Sequence, residues 1–478
     1  MVAQKMALSR RSLPAGRSDR GPWSSRRLSK VPAWTVLVWI AFPGSAALAR
    51  EPGAEPEAPS RVSDAELYRP SAMPDRIVLT WIGDGATTRA VTWRTSTAVR
   101  RAFAEIAVAG GGPRFREGAR RVDAVTQPFR SDLSECHVHS VEFRDLRPGT
   151  CYAYRVGDGA NFSEWFHFRT AGAPDEPFSF VYFGDAQNDI RSLWSRVIRE
   201  AGLNTPRAAF MVHAGDLVNR ADDDAMWGEW FAAGGWLTAM IPVVATPGNH
   251  DYASEKKPDG STVRRLSRHW RAQFTFPPNG PTGLEETVYY LDYQNLRIVS
   301  LNSNERVEEQ IPWMEKVLSG HNRTWTVVTF HHPIFSVAKE RDNAALRNAW
   351  KPVFDRYGVD LVLTGHDHTY GRTGPAARAA GGSTAADGPS ASSGTVYVVS
   401  VGGPKMYEVG LKARAELARV AEGLQLYQVI SIEGPVLRYE ARTATGEVCD
   451  AFTLRKRPGL PNEMTEQISN VPASRSSR

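Results

Sequence analysis

The sequence predicts two folded domains, a small all-β sandwich followed by a larger α/β domain. Three observations predict this. Between Arg76 and Arg169 the chain falls into short strands separated by turn signals, the spacing of a sandwich. From Phe178 on, short apolar runs alternate with helical stretches, as in a sheet covered on both faces. Five of these runs end in short polar stretches, and in such sheets the loops at strand ends carry function. With 478 residues, an apolar fraction of 42% and 14 tryptophans, the chain can fill more than one core.

The elements follow in order. Residues 1–49 read as an export signal peptide: a basic region ending at Lys30, an apolar stretch from Val31 to Phe42, and Ala47-Leu48-Ala49 as a small-x-small cleavage site. The apolar stretch is too short to span a bilayer comfortably, so the expectation is export to the periplasm or the exterior with no stable membrane anchor. Ser25-Arg26-Arg27-Leu28-Ser29-Lys30 is similar to a twin-arginine signal, although Ser29 stands where a large apolar residue is usual. An ordinary secretory leader stays equally open. The formal net charge of +6 sits in this segment, whose eight basic residues against Asp19 leave about −1 for the rest. A nucleic-acid partner is therefore not expected. Cys136, Cys151 and Cys449 cannot all pair within one chain, and their spacing identifies no disulfide.

Residues 50–65 are rich in Pro, Glu and Ala and read as a linker. Residues 66–171 carry the sandwich, with strands at Ile77–Trp81, Ala90–Arg94, Ala102–Val108, His137–Phe143, around Tyr152 and Tyr154, and at Ser163–Arg169. No acid, base or metal cluster occurs there, so the module reads as a support. The α/β domain is placed at 176–455, with helices at Ile190–Ala201, Asp224–Met240, Gln310–Leu318 and Asn343–Tyr357. Residues 373–395 are low in complexity and read as a flexible insertion. Residues 456–478 read as a disordered tail.

The chemistry sits where the apolar runs end: Gly184-Asp185, Gly215-Asp216, Gly248-Asn249-His250-Asp251, His331-His332-Pro333 and Gly365-His366-Asp367-His368. Alternation along an extended chain would put both rings of the last stretch on one side. Asp185, Asp216, Asn249, His331, His366 and His368 supply two carboxylates, an amide and three imidazoles. One catalytic ion takes about three protein ligands, so six suit two ions, with one carboxylate as a bridge. Nitrogen and oxygen donors without thiolate favour Fe, Zn or Mn. Two ions about 4 Å apart polarise a phosphoryl group, activate water and neutralise a leaving oxygen.

This series of five motifs resembles the calcineurin-like metallophosphoesterases, and the preceding sandwich resembles the purple acid phosphatase branch, whose N-terminal domain is fibronectin type III-like. Leu146-x-Pro148-Gly149-Thr150-x-Tyr152-x-Tyr154 fits such a domain. The resemblance spans roughly residues 66–445. It implies a four-layer α/β-β/α sandwich hydrolysing small phosphate esters by in-line attack of a metal-bound hydroxide. It implies Asp185 and His368 on the first metal, Asp216 as the bridge, and Asn249, His331 and His366 on the second. It also implies that His250 protonates the leaving oxygen or stabilises its charge. Two positions depart from the branch. Asn219 stands where purple acid phosphatases have a tyrosine, which implies no purple colour. Gln187 stands at a histidine position of the wider family. Both side chains are further candidate ligands through their carbonyls.

His332 and Arg372 are candidate substrate contacts, with packing under Pro333 and a surface ion pair as the respective alternatives. His213 reads as a hydrogen-bonded residue of the core or one that supports a ligand from behind. The expected activity is phosphomonoester hydrolysis of the acid phosphatase kind. A phosphodiesterase acting on nucleotides or glycerophosphodiesters stays open, because loops such as 252–285 shape the pocket. A secreted binding protein with a vestigial metal site is a further alternative, against which the retention of all six donors argues.

Overall fold

Apolar side chains of the first domain turn inward, and burial alternates with exposure along Phe166–Arg169 and runs without break along Arg89–Thr95. The strand Glu135–Phe143 sends Val141 and Phe143 inward between more exposed neighbours. The computed structural model describes residues 61–374, 394–457 and 459–467. The leader and residues 375–393 of the expected insertion lie outside the described residues.

Two four-stranded sheets face each other over Leu79, Val91, Trp93, Ile106, Tyr154 and Phe168. One runs Asp75–Thr80, Arg89–Thr95, Glu135–Phe143, Val125–Arg130; the other Arg120–Asp123, Phe103–Val108, Cys151–Gly157, Phe166–Arg169. The strands Arg120–Asp123 and Val125–Arg130 escape a sequence reading because they are polar, largely exposed edges, and Pro128 interrupts the second. The last strand starts at Phe166 rather than Ser163. The expected linker ends early, since Ser63 caps a short helix, Asp64–Leu67, through its side chain. Among the described residues all three cysteines are free thiols.

The α/β domain consists of two seven-stranded sheets. In the first, Val243–Ala245, Met211–His213 and Phe178–Phe183 run parallel, then Leu426–Glu433, Val436–Thr443, Val448–Arg457 and Leu460–Glu466 continue antiparallel. In the second, Leu296–Ser300, Trp325–Thr329, Leu361–Thr364 and Val396–Val399 are parallel, flanked by Tyr289–Tyr293 on one edge and by Tyr370–Arg372 and Arg419–Ala421 on the other. The sheets share one core, in which Phe180, Val212 and Tyr439 of the first meet Val327, Leu363 and Val398 of the second. Helices Ile311–Ser319 and Ala344–Tyr357 cover the outer face of the second sheet with Met314, Leu318, Trp350 and Phe354. Ser195–Asn204 and Asp224–Gly234 contribute Val197, Ile198, Trp227 and Trp230 to the core of the first. This is the four-layer arrangement the sequence predicts.

Two expectations need correction. The helix read as Asp224–Met240 is two helices, Asp224–Gly234 and Trp236–Met240, because Gly235 takes a positive φ of 54° between them. The chain beyond 455 is not a tail throughout: one strand runs to Arg457 and Leu460–Glu466 adds another. Composition hid this because the last strand is an exposed edge, held by ladder hydrogen bonds, by Arg419 to Glu466 at 2.6 Å and by Asn462 to Asp360 at 2.6 Å. Residues 468–478 lie outside the described residues.

The sandwich docks through buried polar contacts. Arg76 Nη1 donates to Asp224 Oδ1 at 2.6 Å, and Arg94 Nη1 to Asp224 Oδ2 at 3.4 Å. His269 Nε2 donates to the same carboxylate at 3.1 Å, and the Asp224 N–H donates to Asp132 at 2.9 Å. Nearby, Tyr154 donates to the Ala239 carbonyl at 2.6 Å and Thr80 to the Thr275 carbonyl at 2.6 Å.

Candidate metal centre

The parallel strands of both sheets end at one place. The first sheet delivers Asp185, Asp216 and Asn249; the second delivers His331, His366 and His368. Two contacts pin the sheets together there: a parallel bridge between Asp185 and Val401, and the Tyr182 hydroxyl on the Thr364 carbonyl.

The donors face one another. His331 Nε2 lies 3.0 Å from Asn249 Oδ1 and 3.2 Å from Asp216 Oδ2. His366 Nδ1 lies 2.9 Å from Asn249 Oδ1 and 3.2 Å from His331 Nε2. At the other end His368 Nε2 lies 3.2 Å from Asp185 Oδ2. Backbone carbonyls fix two of the rings. His331 Nδ1 donates to Ala214 at 2.9 Å and His368 Nδ1 to Lys405 at 3.0 Å, so each Nε2 lone pair points inward. Backbone amides hold the carboxylates, His366 N on Asp185 Oδ1 at 2.6 Å and His250 N on Asp216 Oδ1 at 2.7 Å.

The backbone is unusual at the donors. Asp216, His366 and His368 have φ of 51°, 72° and 48°. The expectation of an extended His366-Asp367-His368 is therefore corrected. The chain turns there, and the two rings face opposite ends of the cluster instead of sharing a side. Two glycines explain the approach of the loops. A Cβ on Gly248 would collide with the Asp216 amide and carboxylate, and one on Gly365 with the Asp185 carboxylate.

These residues fit metal ions. Asp185 and Asp216 are 0% and 1% exposed, and neither is paired with a lysine or arginine among the described residues. Two carboxylates so buried require positive charge. In its absence histidine supplies it: burial opposes the imidazolium, but Asp216 and then Asp185 hold His331 up at about 9. Burial likewise opposes ionisation of Asp185, yet His368 and His331 pull it well below the usual carboxylate range. Gln187 fills the centre, its Nε2 2.8 Å from Asp216 Oδ2 and 3.0 Å from His368 Nε2, while its buried Oε1 has no partner. A half-turn of that amide offers Oε1 to a cation. At Asn219 it is the backbone carbonyl that is engaged, accepting from His250 Nδ1 at 2.8 Å.

The remaining candidates separate. His250 is half-buried at the mouth, with Nδ1 taken by Asn219 and Nε2 left for a ligand. His332 lies beside His366 with ring centroids 4.3 Å apart and bonds Ser303 Oγ at 2.8 Å. Arg372 is corrected: it is buried and its guanidinium grips Asp450 at 2.5 and 3.0 Å, so it contacts no substrate. His213 is buried against Phe183, Trp194 and Trp230 with both ring nitrogens unpartnered, contrary to the expected hydrogen-bonded residue. Burial pushes it down to about 3, so it is a neutral aromatic filler.

Sequence reasoning missed two supports. Asp251 accepts from the Leu217 and Gly248 amides at 3.2 and 2.8 Å and shapes the turn that presents Asn249. Burial and then the Asp216 charge push its carboxyl up to about 8. Asp367 accepts from Val337 N at 2.6 Å and steadies the chain after His331-His332-Pro333. Both belong to quoted motifs, and the signal was their place beside ligands rather than on them.

Fold and donor set together resemble those of metallophosphoesterases. A model of the calcineurin-like phosphoesterases matches residues 178–370, and one of the purple acid phosphatase N-terminal domain matches residues 74–170. The chain therefore carries a calcineurin-like phosphoesterase domain preceded by a purple acid phosphatase N-terminal domain. Among its relatives is acid phosphatase type 7 of Danio rerio, 27% identical over 55% of this chain and 64% of the relative. The human protein of the same name is 26% identical over 65% and 73%. The Fe(3+)-Zn(2+) purple acid phosphatase 12 of Arabidopsis thaliana is 26% identical over 53% and 56%. The chain thus spans 64% of the first of these relatives. A purple acid phosphatase from yellow lupin seeds shares the fold, with TM-score 0.65 and 18% identity over 80% of this chain and 74% of that one. A structure of PhoD does so with TM-score 0.60 and 12% identity over 84% and 93%.

Proposed function

We propose that the protein is an exported hydrolase of phosphate monoesters, acid phosphatase-like, working with two metal ions. The observation that carries the activity is the meeting of His331, His366 and Asn249 donor atoms within 3.2 Å beside two buried carboxylates. Export is supported by the basic, apolar and small-residue order of residues 1–49.

Asp185, Gln187 and His368 would hold one ion, Asn249, His331 and His366 the other, with Asp216 between them. Fe, Zn and Mn suit this donor set, and a pair of such ions supplies polarisation of the phosphoryl group and activation of water at mild pH. The protein supplies the rest. Ala214 and Lys405 carbonyls hold the imidazoles in register. His250, anchored at Nδ1, keeps Nε2 at the mouth, where once protonated it delivers a proton to the leaving oxygen. His332, with Nδ1 engaged by Ser303, is placed to contact the phosphate through Nε2.

The test is hydrolysis of an aryl phosphate monoester beside the matching diester, with metals supplied and with chelator. Faster monoester turnover, lost with chelator, is expected. Faster diester turnover would make the protein a phosphodiesterase. Absence of turnover on both with each metal would overturn the reading.

A further inference from the structure

Two arginines outside the donor set stand at the rim of this centre. Arg264 lies on the hairpin Tyr252–Lys256 and Thr262–Leu266, directly after the Gly248-Asn249-His250-Asp251 turn. Its guanidinium folds back onto the backbone carbonyl of Asn249 and lies 5.6 Å from the centroid of the Tyr252 ring. Arg341 approaches from the other sheet, where Nη1 donates to the His366 carbonyl at 2.8 Å and to Asp367 Oδ1 at 3.2 Å. Its guanidinium lies 4.8 Å from the centroid of the Tyr407 ring. Each arginine is thus tied to the carbonyl of a candidate ligand, one from each sheet.

Among the described residues no ion pair holds Arg264, and Arg341 pairs with Asp367 alone. Glu305, the acid beside the hairpin, is engaged by the Tyr252 hydroxyl and by Asn302. Asp367 is buried beneath Arg341 and takes two backbone amides besides.

We infer that Arg264 and Arg341 form a clamp at the rim that sets a preference for phosphate monoesters over diesters. A monoester phosphoryl group carries roughly −1.5 to −2 near neutral pH and offers three acceptor oxygens. A diester carries one charge and lacks the third oxygen. A guanidinium fork rewards the additional charge and acceptor. The inference rests on the phosphoesterase reading above and names what that site selects.

The test compares kcat/KM for the aryl monoester and diester in the full metal-loaded protein and its variants, with inhibition by inorganic phosphate as a binding readout. Arg264→Ala is expected to lower monoester kcat/KM about tenfold or more, chiefly through KM. The diester should lose less, and phosphate inhibition should weaken in parallel. Arg264→Lys should recover part of the loss. Arg341→Gln should act in the same direction, with its thermal midpoint recorded because Asp367 loses a partner. Arg264 is exposed, so its variant decides if Arg341→Gln unfolds. An active protein whose monoester-to-diester ratio and phosphate inhibition do not move in Arg264→Ala overturns the clamp alone. A wild-type protein with no chelator-sensitive hydrolysis of either ester overturns the phosphoesterase reading, and the clamp with it.

Discussion

Replacing Asp224 by asparagine should loosen the sandwich from the α/β domain. The Asp224 side chain is 2% exposed, and Arg76, which spends two nitrogens on it at 2.6 and 3.0 Å, is 5% exposed. Arg94 has a second partner in Asp75 at 2.7 Å, so Arg76 is the charge left alone. Burial and then Arg94 already lower the Arg76 pKa, a sign that its ionised form depends on Asp224. Removing one partner of a buried pair costs about 3–5 kcal/mol. Because asparagine preserves the shape and Arg94 is compensated, the lower end, about 3 kcal/mol, is expected. Urea unfolding followed by tryptophan fluorescence reads it, since Trp227 stacks on His269 beside the carboxylate. Replacing the pair together, Arg76→Met with Asp224→Leu, should recover much of the loss. A loss below about 1 kcal/mol, or a double variant as unstable as the single one, would refute the reasoning.

Further outcomes follow from three other sites. His139 is buried between Thr95 and Thr126, and burial, then His137, push it down to about 4. Between pH 6.5 and 4 the unfolded chain takes up a proton the folded one refuses, so stability should fall by about 3 kcal/mol as pH drops through that window. His139→Gln should flatten that part of a stability-versus-pH curve, and an unchanged slope would exclude His139 as its source. Zinc or manganese at about a hundredfold over its dissociation constant should stabilise the fold by about 2.7 kcal/mol, and chelator should reverse this. In His366→Ala the thermal shift should shrink and turnover fall at least about 100-fold; full activity would remove His366 from the site. Arg372→Met should cost about 3–5 kcal/mol in denaturant while leaving KM in place. A raised KM at wild-type stability would restore Arg372 as a substrate contact.

How much was legible depended on where side chains point. Core strands such as Trp325–Thr329 and Leu361–Thr364 announce themselves, because burial on both faces makes them predominantly apolar. The polar edge Arg120–Asp123 and the final strand Leu460–Glu466 do not, since pairing holds them more than packing. The motif positions gave the places where donors gather, for a Gly-Asp or His-x-His at a strand end is a local signal. Arg372 shows the limit. From sequence it flanks the motif, but its strand turns it into the interior to meet Asp450, a partner 78 positions away. Asp224 was equally silent, since its role exists only once Arg76 and His269 are brought to it from 148 and 45 positions away.

The left-handed backbone at Asp216, His366 and His368 restricts which amino acids can serve there. Outside glycine, that region is entered most readily by aspartate, asparagine and histidine. These are also donors of oxygen and imidazole nitrogen, the chemistry of hard and borderline cations. Chain geometry thus writes a short alphabet at these positions before any ion arrives. A drift toward thiolate ligation, and with it toward softer metals, would have to change the course of the backbone as well as the side chain. The same geometry explains how a site could keep its donor types while the loops around it diverge.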